Sequence, residues 1–526
     1  MTMLSALRFA PIVVVAVLSV GCQSEDGPLL KTEIATGKIE GVADGEVAVY
    51  LGIPYAAPPV GDMRWRPPSP AESWSGVRQA DSFGANCVQK PFPNGVAEGK
   101  PWTKEYNVDP QSAFSEDCVY VNIWTPAKST NERLPVFFWI HGGGFNSGSG
   151  SVPIYDGAAL ASRGIVVVNI NYRLGAFGFL AHPELSSESP ESSSGNYAIE
   201  DMIAALGWVR DNISAFGGDA NQVTIAGQSA GAGAVHSLIA SPGARGLFAR
   251  AIAQSGSGAR RSSTTLAKAE AAGLKFMAAA GAGSVTELRA LPPDKLLAVE
   301  LKGVRFGPIV DGAVIPVSPA EAEATGAYND TPILTGYTAD ESSSWIPHYG
   351  RATVTEYEES IQRVYGDLKD ELLQLYAAPD DQTAGEMSKS IARDRTAAAM
   401  YQWAADRLRT SKNPIYCYWY THPEPGPESA RWGAFHASEL AYVFETLDKS
   451  PNRAFTEQDR AIAKTIADYW SNFIKTGDPN GPGLTEWPAL DVTGKQIMEL
   501  GEAFRARPIL SPEKLKLFEA YAKRGR

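Results

Sequence analysis

The amino-acid sequence predicts an α/β fold with a large, mostly parallel central sheet that is covered by helices on both faces. Short runs rich in Val, Ile and aromatic residues lack polar alternation, which is typical of strands buried on both sides. These runs alternate with segments of helical spacing, as in sheets whose parallel strands are joined by helices. The predicted strands are Leu134–Ile140, Ile165–Ile170, Val223–Ala226, Ala251–Ala253, Pro332–Leu334 and Ile415–Tyr420.

Two helices and one hairpin can be placed around these strands. Tyr197 to Asn212 repeats apolar residues at helical spacing. Glu457 to Lys475 has the pattern of a long amphipathic helix, and a glycine and a proline follow it. Ahead of the sheet, Ile34 to Tyr50 predicts a hairpin that turns at Asp44-Gly45.

The composition indicates a globular protein of one domain. The chain has 526 residues, of which 44% are hydrophobic and 20% are charged. Its formal net charge of -12 argues against nucleic-acid binding, because contact with phosphates requires a basic surface. No internal repeat or linker divides the chain, so we expect a single domain over residues 22–526.

The first 21 residues have the pattern of a secretory signal peptide. Arg8 precedes an apolar run from Phe9 to Val20, and small residues follow at the cleavage position. The run is too short to span a bilayer comfortably, and no later segment is apolar enough to do so. We therefore expect an exported protein, either periplasmic or secreted.

The four cysteines leave two outcomes open at the mature N-terminus. Cys22 stands where bacterial lipoproteins carry lipid, although Ser19 replaces the Leu that this pattern prefers. The alternative is ordinary cleavage, which leaves a soluble protein. If Cys22 carries lipid, Cys87 and Cys118 are the expected disulfide pair in an oxidising compartment, and Cys417 is a buried free thiol. No cysteine spacing matches a zinc site, so no metal is expected.

The strongest local motif surrounds Ser229. The run Gly227-Gln228-Ser229-Ala230-Gly231 follows a predicted strand and precedes a helical stretch, which is the context of a nucleophile elbow. The sharp turn holds the serine in a strained conformation, so the residues two positions away must be small. A plain Gly-rich turn is the alternative interpretation, but the flanking strand and helix favour a nucleophile.

A second motif lies directly after the strand Leu134–Ile140. It reads His141-Gly142-Gly143-Gly144-Phe145, and consecutive glycines leave backbone N–H groups uncovered by any side chain. Such groups can stabilise a negatively charged oxygen. We expect the N–H groups of Gly143, Gly144 and Ala230 to form an oxyanion hole.

A serine nucleophile also requires a general base and an acid that orients it. In this arrangement the chain order is Ser, acid, His, which leaves His422 and His436 as the best of the six histidines. The loop after Pro332–Leu334 offers two adjacent acids, Asp340 and Glu341. Residue chemistry alone leaves both choices open.

Taken together, these motifs resemble the type-B carboxylesterases, a family that includes cholinesterases and bacterial para-nitrobenzyl esterases. The resemblance runs from about Thr36 to Asp478. It implies an α/β-hydrolase fold, a small-molecule ester substrate and a serine mechanism without a cofactor or metal. The remaining motifs that carry it are Gly52-Ile53-Pro54-Tyr55-Ala56, Ser115-Glu116-Asp117-Cys118-Val119-Tyr120-Val121-Asn122, Asn171-Tyr172-Arg173-Leu174-Gly175 and Phe216-Gly217-Gly218-Asp219.

The resemblance also selects among the open alternatives. His436, in Gly433-Ala434-Phe435-His436-Ala437-Ser438-Glu439-Leu440, matches the family's catalytic histidine, and Glu341 matches its acid. It implies two structural ion pairs, Arg64 with Glu116 and Arg173 with Asp201.

The chain departs from the family pattern at two positions near these motifs. Met202 stands where Gln is usual, and Gln228 stands where Glu is common. The departure at Gln228 changes the charge beside the nucleophile but removes no catalytic group. A non-catalytic binding module of the same fold is the competing function class, and the presence of Ser229, Glu341 and His436 argues against it.

Overall fold

The computed structural model describes residues 27–96, 99–257, 264–346 and 348–524. The expected signal peptide and Cys22 lie outside the described residues, and the domain boundaries 22–526 stay a prediction. No helix in the described part of the chain is long and apolar enough to cross a membrane.

In the described part of the chain, eleven strands form one central sheet. In chain order they are β1 Val42–Asp44, β2 Val47–Pro54, β3 Tyr120–Thr125, β4 Leu134–Ile140, β5 Val166–Ile170, β6 Gly218–Gln228, β7 Arg250–Gln254, β8 Ile333–Thr338, β9 Ile415–Tyr420, β10 Gln496–Leu500 and β11 Arg505–Pro508. Their spatial order is β11-β10-β9-β8-β7-β6-β4-β5-β3-β2-β1. The strands from β10 to β5 in this order are parallel to one another, and antiparallel pairs lie at both edges.

Within residues 27–524, apart from the undescribed gaps, seven longer helices surround the sheet. They are α1 Tyr197–Asn212, α2 Ala230–Ala240, α3 Leu266–Ala280, α4 Val354–Tyr365, α5 Asp381–Arg407, α6 Glu457–Thr476 and α7 Pro512–Arg524. Shorter helices span Ala158–Ala161, Gly175–Phe179, Pro183–Glu188, Val285–Ala290, Pro293–Leu297, Pro319–Thr325, Lys369–Leu375, Ser429–Trp432 and Leu440–Val443. Outside the central sheet, Lys31–Ile34, Gly37–Glu40 and Val77–Gln79 form a small sheet, and Asn86–Cys87 pairs with Phe114–Ser115.

The predicted strands and helices correspond closely to these elements. β4, β9 and α1 have the predicted bounds, and α6 ends one residue later than expected. The five residues from Val136 to Ile140 are all fully buried. Because successive side chains of a strand point to opposite faces, this burial requires cover on both faces of the sheet, as the apolar run predicted.

The predicted hairpin over Ile34 to Tyr50 is only partly correct. β1 and β2 do pair across a turn after Asp44. However, Gly37–Glu40 pairs with Lys31–Ile34 in a separate hairpin that the sequence analysis missed. Both segments alternate apolar and polar residues in a similar way. The local sequence pattern therefore does not show where one hairpin ends and the next begins.

The helix α6 shows how local sequence sets an element's ends. Thr456 and Asp459 form a capping box at its N-terminus, in which the side chain of each residue accepts a hydrogen bond from the backbone N–H of the other. At its C-terminus Gly477 has a φ of 84°, a left-handed conformation that glycine adopts without strain. Trp470 and Phe473 on this helix are fully buried.

The disulfide and the two expected ion pairs join residues in the N-terminal half of the chain. Cys87 and Cys118 form a disulfide, and Cys417 is a buried free thiol within β9. The Arg173 guanidinium donates to both carboxylate oxygens of Asp201, at 2.8 and 2.7 Å.

Arg64 binds Glu116 in the same two-point manner, at 2.6 and 2.5 Å. Its other amino group donates to the carbonyls of Arg289 and Leu291, at 2.9 and 2.7 Å. Arg64 therefore links the segment that precedes Cys118 to the helix Val285–Ala290. Both guanidinium groups are buried and paired, as buried charges must be.

Candidate active site

Ser229 lies on a sharp turn between β6 and α2. Its backbone has φ 58° and ψ -118°, a conformation that residues other than glycine rarely adopt. The N–H of Ser229 donates to the carbonyl of Gln254 at 2.9 Å, which holds the turn against the end of β7. Strain of this kind persists where the surrounding structure enforces it, and it is common at functional sites.

The two glycines of the motif are required by close backbone approach. A Cβ atom on Gly231 would lie 2.0 Å from the carbonyl oxygen of Ile140, at the end of β4. A Cβ atom on Gly227 would lie 2.4 Å from the carbonyl carbon of Gly231. Neither position can therefore hold a larger residue without moving the backbone.

The glycine loop after β4 lies directly against this turn. A Cβ atom on Gly142 would lie 3.3 Å from Cβ of Ser229. Gly143 and Gly144 have φ values of 111° and 65°, and both residues are exposed. Among the described residues, no acceptor is hydrogen-bonded to the N–H groups of Gly143, Gly144 or Ala230. The three predicted donors are therefore available beside Ser229.

The imidazole of His436 is held by Glu341, which lies just beyond the end of β8. Nδ1 of His436 hydrogen-bonds Oε2 of Glu341. The other carboxylate oxygen accepts hydrogen bonds from Oγ of Ser255 and from the N–H of Thr338, the latter at 3.0 Å. Burial alone would raise the pKa of Glu341, but the charge of His436 and these hydrogen bonds outweigh it and lower that pKa. The carboxylate is therefore ionised and fixed.

Asp340, the adjacent acid, points elsewhere. Its carboxylate accepts hydrogen bonds from the Arg393 guanidinium at 3.0 and 2.9 Å, from the Tyr349 hydroxyl at 2.8 Å, and from the N–H of Ala434 at 3.0 Å. The last contact fixes the backbone two residues before His436. Asp340 therefore anchors the loop that carries His436.

The other candidate histidine, His422, lies in a different buried cluster. Its Nε2 contacts Oδ1 of Asp459 at 2.8 Å, and the Tyr442 hydroxyl donates to the same oxygen at 2.8 Å. This cluster joins the end of β9 to the first turn of α6, so His422 has a structural role.

A second Ser–His–Glu arrangement occurs in the core. Nε2 of His236 contacts Oγ of Ser257 at 3.0 Å, and its Nδ1 lies 4.0 Å from Oε1 of Glu323. All three residues are buried, and burial together with the charge of Arg407 lowers the pKa of His236 to about 3. His236 on α2 therefore links the segment after β7 to the helix Pro319–Thr325.

Comparison with known proteins identifies the family. A model described as "Carboxylesterase family" matches residues 27–518. The chain belongs to the carboxylesterase family. Similar proteins include a fumonisin B1 esterase from Sphingopyxis macrogoltabida, 36% identical over 94% of this chain and 91% of its own length. A para-nitrobenzyl esterase from Bacillus subtilis (strain 168) is 35% identical over 86% of this chain and 91% of its own length. A cocaine esterase from Homo sapiens is 33% identical over 85% and 83%, respectively.

These matches confirm the resemblance to the type-B carboxylesterases and the α/β-hydrolase fold. They also confirm the predicted enzyme class, because the family and the three relatives are esterases. The protein is therefore a carboxylic ester hydrolase. Within the described ranges, no group of three or more His, Cys, Asp or Glu side chains is arranged to bind a metal ion.

Gln228 has a contact in this carboxylesterase that sequence reasoning did not foresee. Its side-chain Nε2 lies 3.2 Å from Nε2 of His436. A neutral imidazole that donates from Nδ1 to Glu341 keeps its lone pair on Nε2, so this nitrogen accepts from the Gln228 amide. The motif showed that a neutral residue replaces the family's usual Glu here, but only the structure shows that the replacement contacts the imidazole.

Glu439 is a buried acid beneath the site that sequence reasoning also missed. Burial and the nearby charge of Glu341 raise the pKa of Glu439 to about 7. Its Oε1 accepts a hydrogen bond from Nε2 of Gln254 at 3.0 Å, and the backbone carbonyl of Gln254 holds Ser229. The available signal was its position three residues after His436. Buried acids with a perturbed pKa are common in active sites, and Glu439 lies close to the candidate histidine.

Two tryptophans flank His436 on the side toward solvent. Nε1 of Trp102 donates to the carbonyl of His436 at 2.9 Å. The Trp345 ring lies 5.1 Å from the Trp102 ring and 6.0 Å from the imidazole, and the residue is 58% exposed. The two indole rings therefore pack around His436, and Trp345 extends this aromatic cluster to the protein surface.

Proposed function

We propose that this carboxylesterase uses Ser229 as nucleophile, His436 as general base and acid, and Glu341 as the carboxylate that orients His436. The observation that carries the proposal is the contact of the Glu341 carboxylate with Nδ1 of His436, whose other nitrogen lies beside the residue preceding Ser229. The strained turn and the adjacent glycine loop support the same assignment.

In the first step, His436 takes the proton of the Ser229 hydroxyl as the oxygen attacks the ester carbonyl. The N–H groups of Gly143, Gly144 and Ala230 stabilise the resulting oxyanion, and loss of one such donor costs roughly 3–4 kcal/mol. His436 then transfers the proton to the alkoxide leaving group as the bond between the acyl carbon and the alcohol oxygen breaks. The alcohol departs, and an acyl-enzyme remains on Ser229.

In the second step, water hydrolyses the acyl-enzyme. His436 takes a proton from water as its oxygen attacks the acyl carbon, and the same N–H groups stabilise the second oxyanion. When this tetrahedral intermediate collapses, the bond between the acyl carbon and the Ser229 oxygen breaks and the carboxylic acid leaves. His436 returns the proton to Ser229. Glu341 stays ionised throughout, because its role is to hold the imidazole and stabilise its protonated form.

A fluorophosphonate that reacts with activated serines tests this proposal. We expect one covalent adduct, located on Ser229 by peptide mass spectrometry, with loss of ester hydrolysis in proportion to labelling. Ser229→Ala should abolish both, while the exposed Ser187→Ala serves as the matched control and should retain both. Labelling at another serine, or normal hydrolysis by Ser229→Ala, would exclude the mechanism.

We propose small-molecule esters as the substrates. The relatives' names mention fumonisin B1, para-nitrobenzyl and cocaine esters, which differ widely in structure, and these names support an ester class without selecting one member of it. A series of p-nitrophenyl esters of increasing acyl length, with fumonisin B1 and matched p-nitroanilides, will define the preference. Faster cleavage of the anilide than of the matching ester would contradict the assignment.

We propose that the enzyme is exported through the signal peptide at residues 1–21 and carries lipid on Cys22 or is released in soluble form. The disulfide between Cys87 and Cys118 supports export, because disulfides persist in oxidising compartments. Fractionation and the mass of the mature N-terminus test this. Lipidation predicts a membrane-associated protein that Cys22→Ser releases, and an unprocessed cytosolic protein would contradict export.

A further inference from the structure

Gln89 joins the disulfide region to the glycine loop beside Ser229. It stands two residues after Cys87 and is only 4% exposed. Its Oε1 accepts a hydrogen bond from the N–H of Gly148 at 2.8 Å, and its Nε2 donates to the carbonyl of Gly148 at 2.9 Å. Nε2 also donates to the carbonyl of Cys87 at 3.1 Å. The side chain therefore binds both backbone groups of Gly148.

Gly148 ends the tightly folded segment that begins at His141, which we call the oxyanion loop (residues 141–148). Within it, the carbonyl of Gly143 accepts hydrogen bonds from the N–H groups of Asn146 and Ser147, each at 3.1 Å. A Cβ atom on Gly143 would lie 2.0 Å from the carbonyl oxygen of Ser147. The backbone of residue 147 is therefore packed directly against one of the proposed oxyanion donors.

The backbone of Gly148, at the far end of the oxyanion loop, is also packed closely against Gly142. A Cβ atom on Gly148 would lie 2.5 Å from the carbonyl oxygen of Gly142. Because the backbones of Gly148 and Gly142 are already closely packed, a shift of Gly148 must move Gly142 and Gly143 as well. The direction of their N–H groups thus depends on what holds Gly148.

A neighbouring contact shows that the disulfide region holds this part of the chain at more than one point. Oδ1 of Asn86 accepts a hydrogen bond from Oγ of Ser151 at 2.9 Å. Asn86 precedes Cys87, and Ser151 follows the oxyanion loop. Gln89 is the one of the two that binds the loop itself.

We propose that Gln89 is a positioning residue for the oxyanion hole, because its carboxamide fixes Gly148 and thereby aims the N–H groups of Gly143 and Gly144. This inference rests on the proposed role of those two glycines. Oxyanion donors act only when they are pre-aligned with the developing charge, so a loosened loop weakens binding of the transition state more than binding of the substrate.

Two variants test the proposal in the full-length enzyme. Gln89→Met keeps the length of the side chain but removes every hydrogen bond to Gly148. Gln89→Glu keeps the acceptor and replaces the donor with a carboxylate that repels the carbonyl oxygens of Gly148 and Cys87. We expect both variants to lower kcat for p-nitrophenyl esters about 10- to 100-fold with little change in KM, somewhat less than the 10²- to 10³-fold loss for removal of a donor itself.

Gln89→Glu adds a signature that a packing defect would not produce. Once the introduced carboxyl group is protonated, its O–H can donate where Nε2 of Gln89 did. The activity deficit of this variant relative to the parent enzyme should therefore shrink as the pH falls, whereas the deficit of Gln89→Met should stay constant. The exposed Gln458→Glu is the matched control, and its activity should equal that of the parent at each pH.

Inhibition by a trifluoromethyl ketone completes the test, because its adduct with the nucleophilic serine carries an oxyanion. Affinity for this inhibitor should fall in parallel with kcat/KM in both Gln89 variants. Equal affinity in the variants and the parent, or a Gln89→Glu deficit that does not change with pH, would overturn the role of Gln89. Failure of the parent enzyme itself to bind the inhibitor would instead contradict the proposed serine mechanism.

Discussion

Replacement of Gln228 by Glu is expected to raise the pKa of His436 and to move the acid limb of the activity profile to higher pH. The amide of Gln228 lies 3.2 Å from Nε2 of the imidazole, and the residue is 3% exposed. A carboxylate in the same place favours the protonated imidazole. Because the base works only when neutral, the variant should lose activity at acidic and neutral pH and recover it at alkaline pH.

The structure sets the size of this shift. Unit charges 3.2 Å apart interact by about 1.3 kcal/mol at the dielectric constant of water and by about 5 kcal/mol at an effective value of about 20. These energies correspond to roughly one and four pKa units. Burial of the new carboxylate opposes the shift, so we expect a displacement of about one to two units.

The assay is kcat/KM for a p-nitrophenyl ester as a function of pH, recorded at a wavelength where the product's absorbance does not depend on pH. Gln458→Glu adds the same charge at an exposed position in the first turn of α6 and should leave the profile unchanged. A Gln228→Glu profile whose acid limb coincides with that of the parent would contradict this prediction. It would mean that the Gln228 side chain does not share the environment of the imidazole.

Two further predictions concern the acid and the disulfide. Glu341→Gln should lower kcat about 10⁴-fold with the melting temperature nearly unchanged, whereas Asp340→Asn should chiefly lower the melting temperature, because its carboxylate holds Arg393 and the histidine loop. Measurements of kcat and melting temperature test both variants. A large loss of kcat in Asp340→Asn, with a lower melting temperature in Glu341→Gln, would show that Asp340 and not Glu341 orients the histidine. Reduction of the disulfide between Cys87 and Cys118, which are 31 residues apart, should lower the free energy of unfolding by roughly 3.7 kcal/mol. Denaturant titrations with and without a phosphine reductant measure the free energy of unfolding. If the reductant lowered this free energy equally in a variant with both cysteines replaced by Ala, the loss could not be assigned to the disulfide.

Much of the fold could be predicted from local sequence because its main signals are local. Continuous burial of the strands leaves an apolar run, and α6 carries its own capping residues and a terminal glycine. The elbow around Ser229 is equally local, since its sharp turn requires glycine at two fixed positions. The hairpins before the sheet were harder to delimit, because strand alternation does not specify which strands pair.

The motif around Ser229, the glycine loop and the main strands and helices could be predicted from the sequence, because each depends on residues close together in the chain. The sequence could not choose between Asp340 and Glu341, since adjacent side chains differ only in where the folded backbone directs them. Family resemblance selected Glu341, and the tertiary structure places its carboxylate on His436. The contacts of Gln228 and Gln89 were decided by tertiary structure alone, because each joins segments that are distant in sequence.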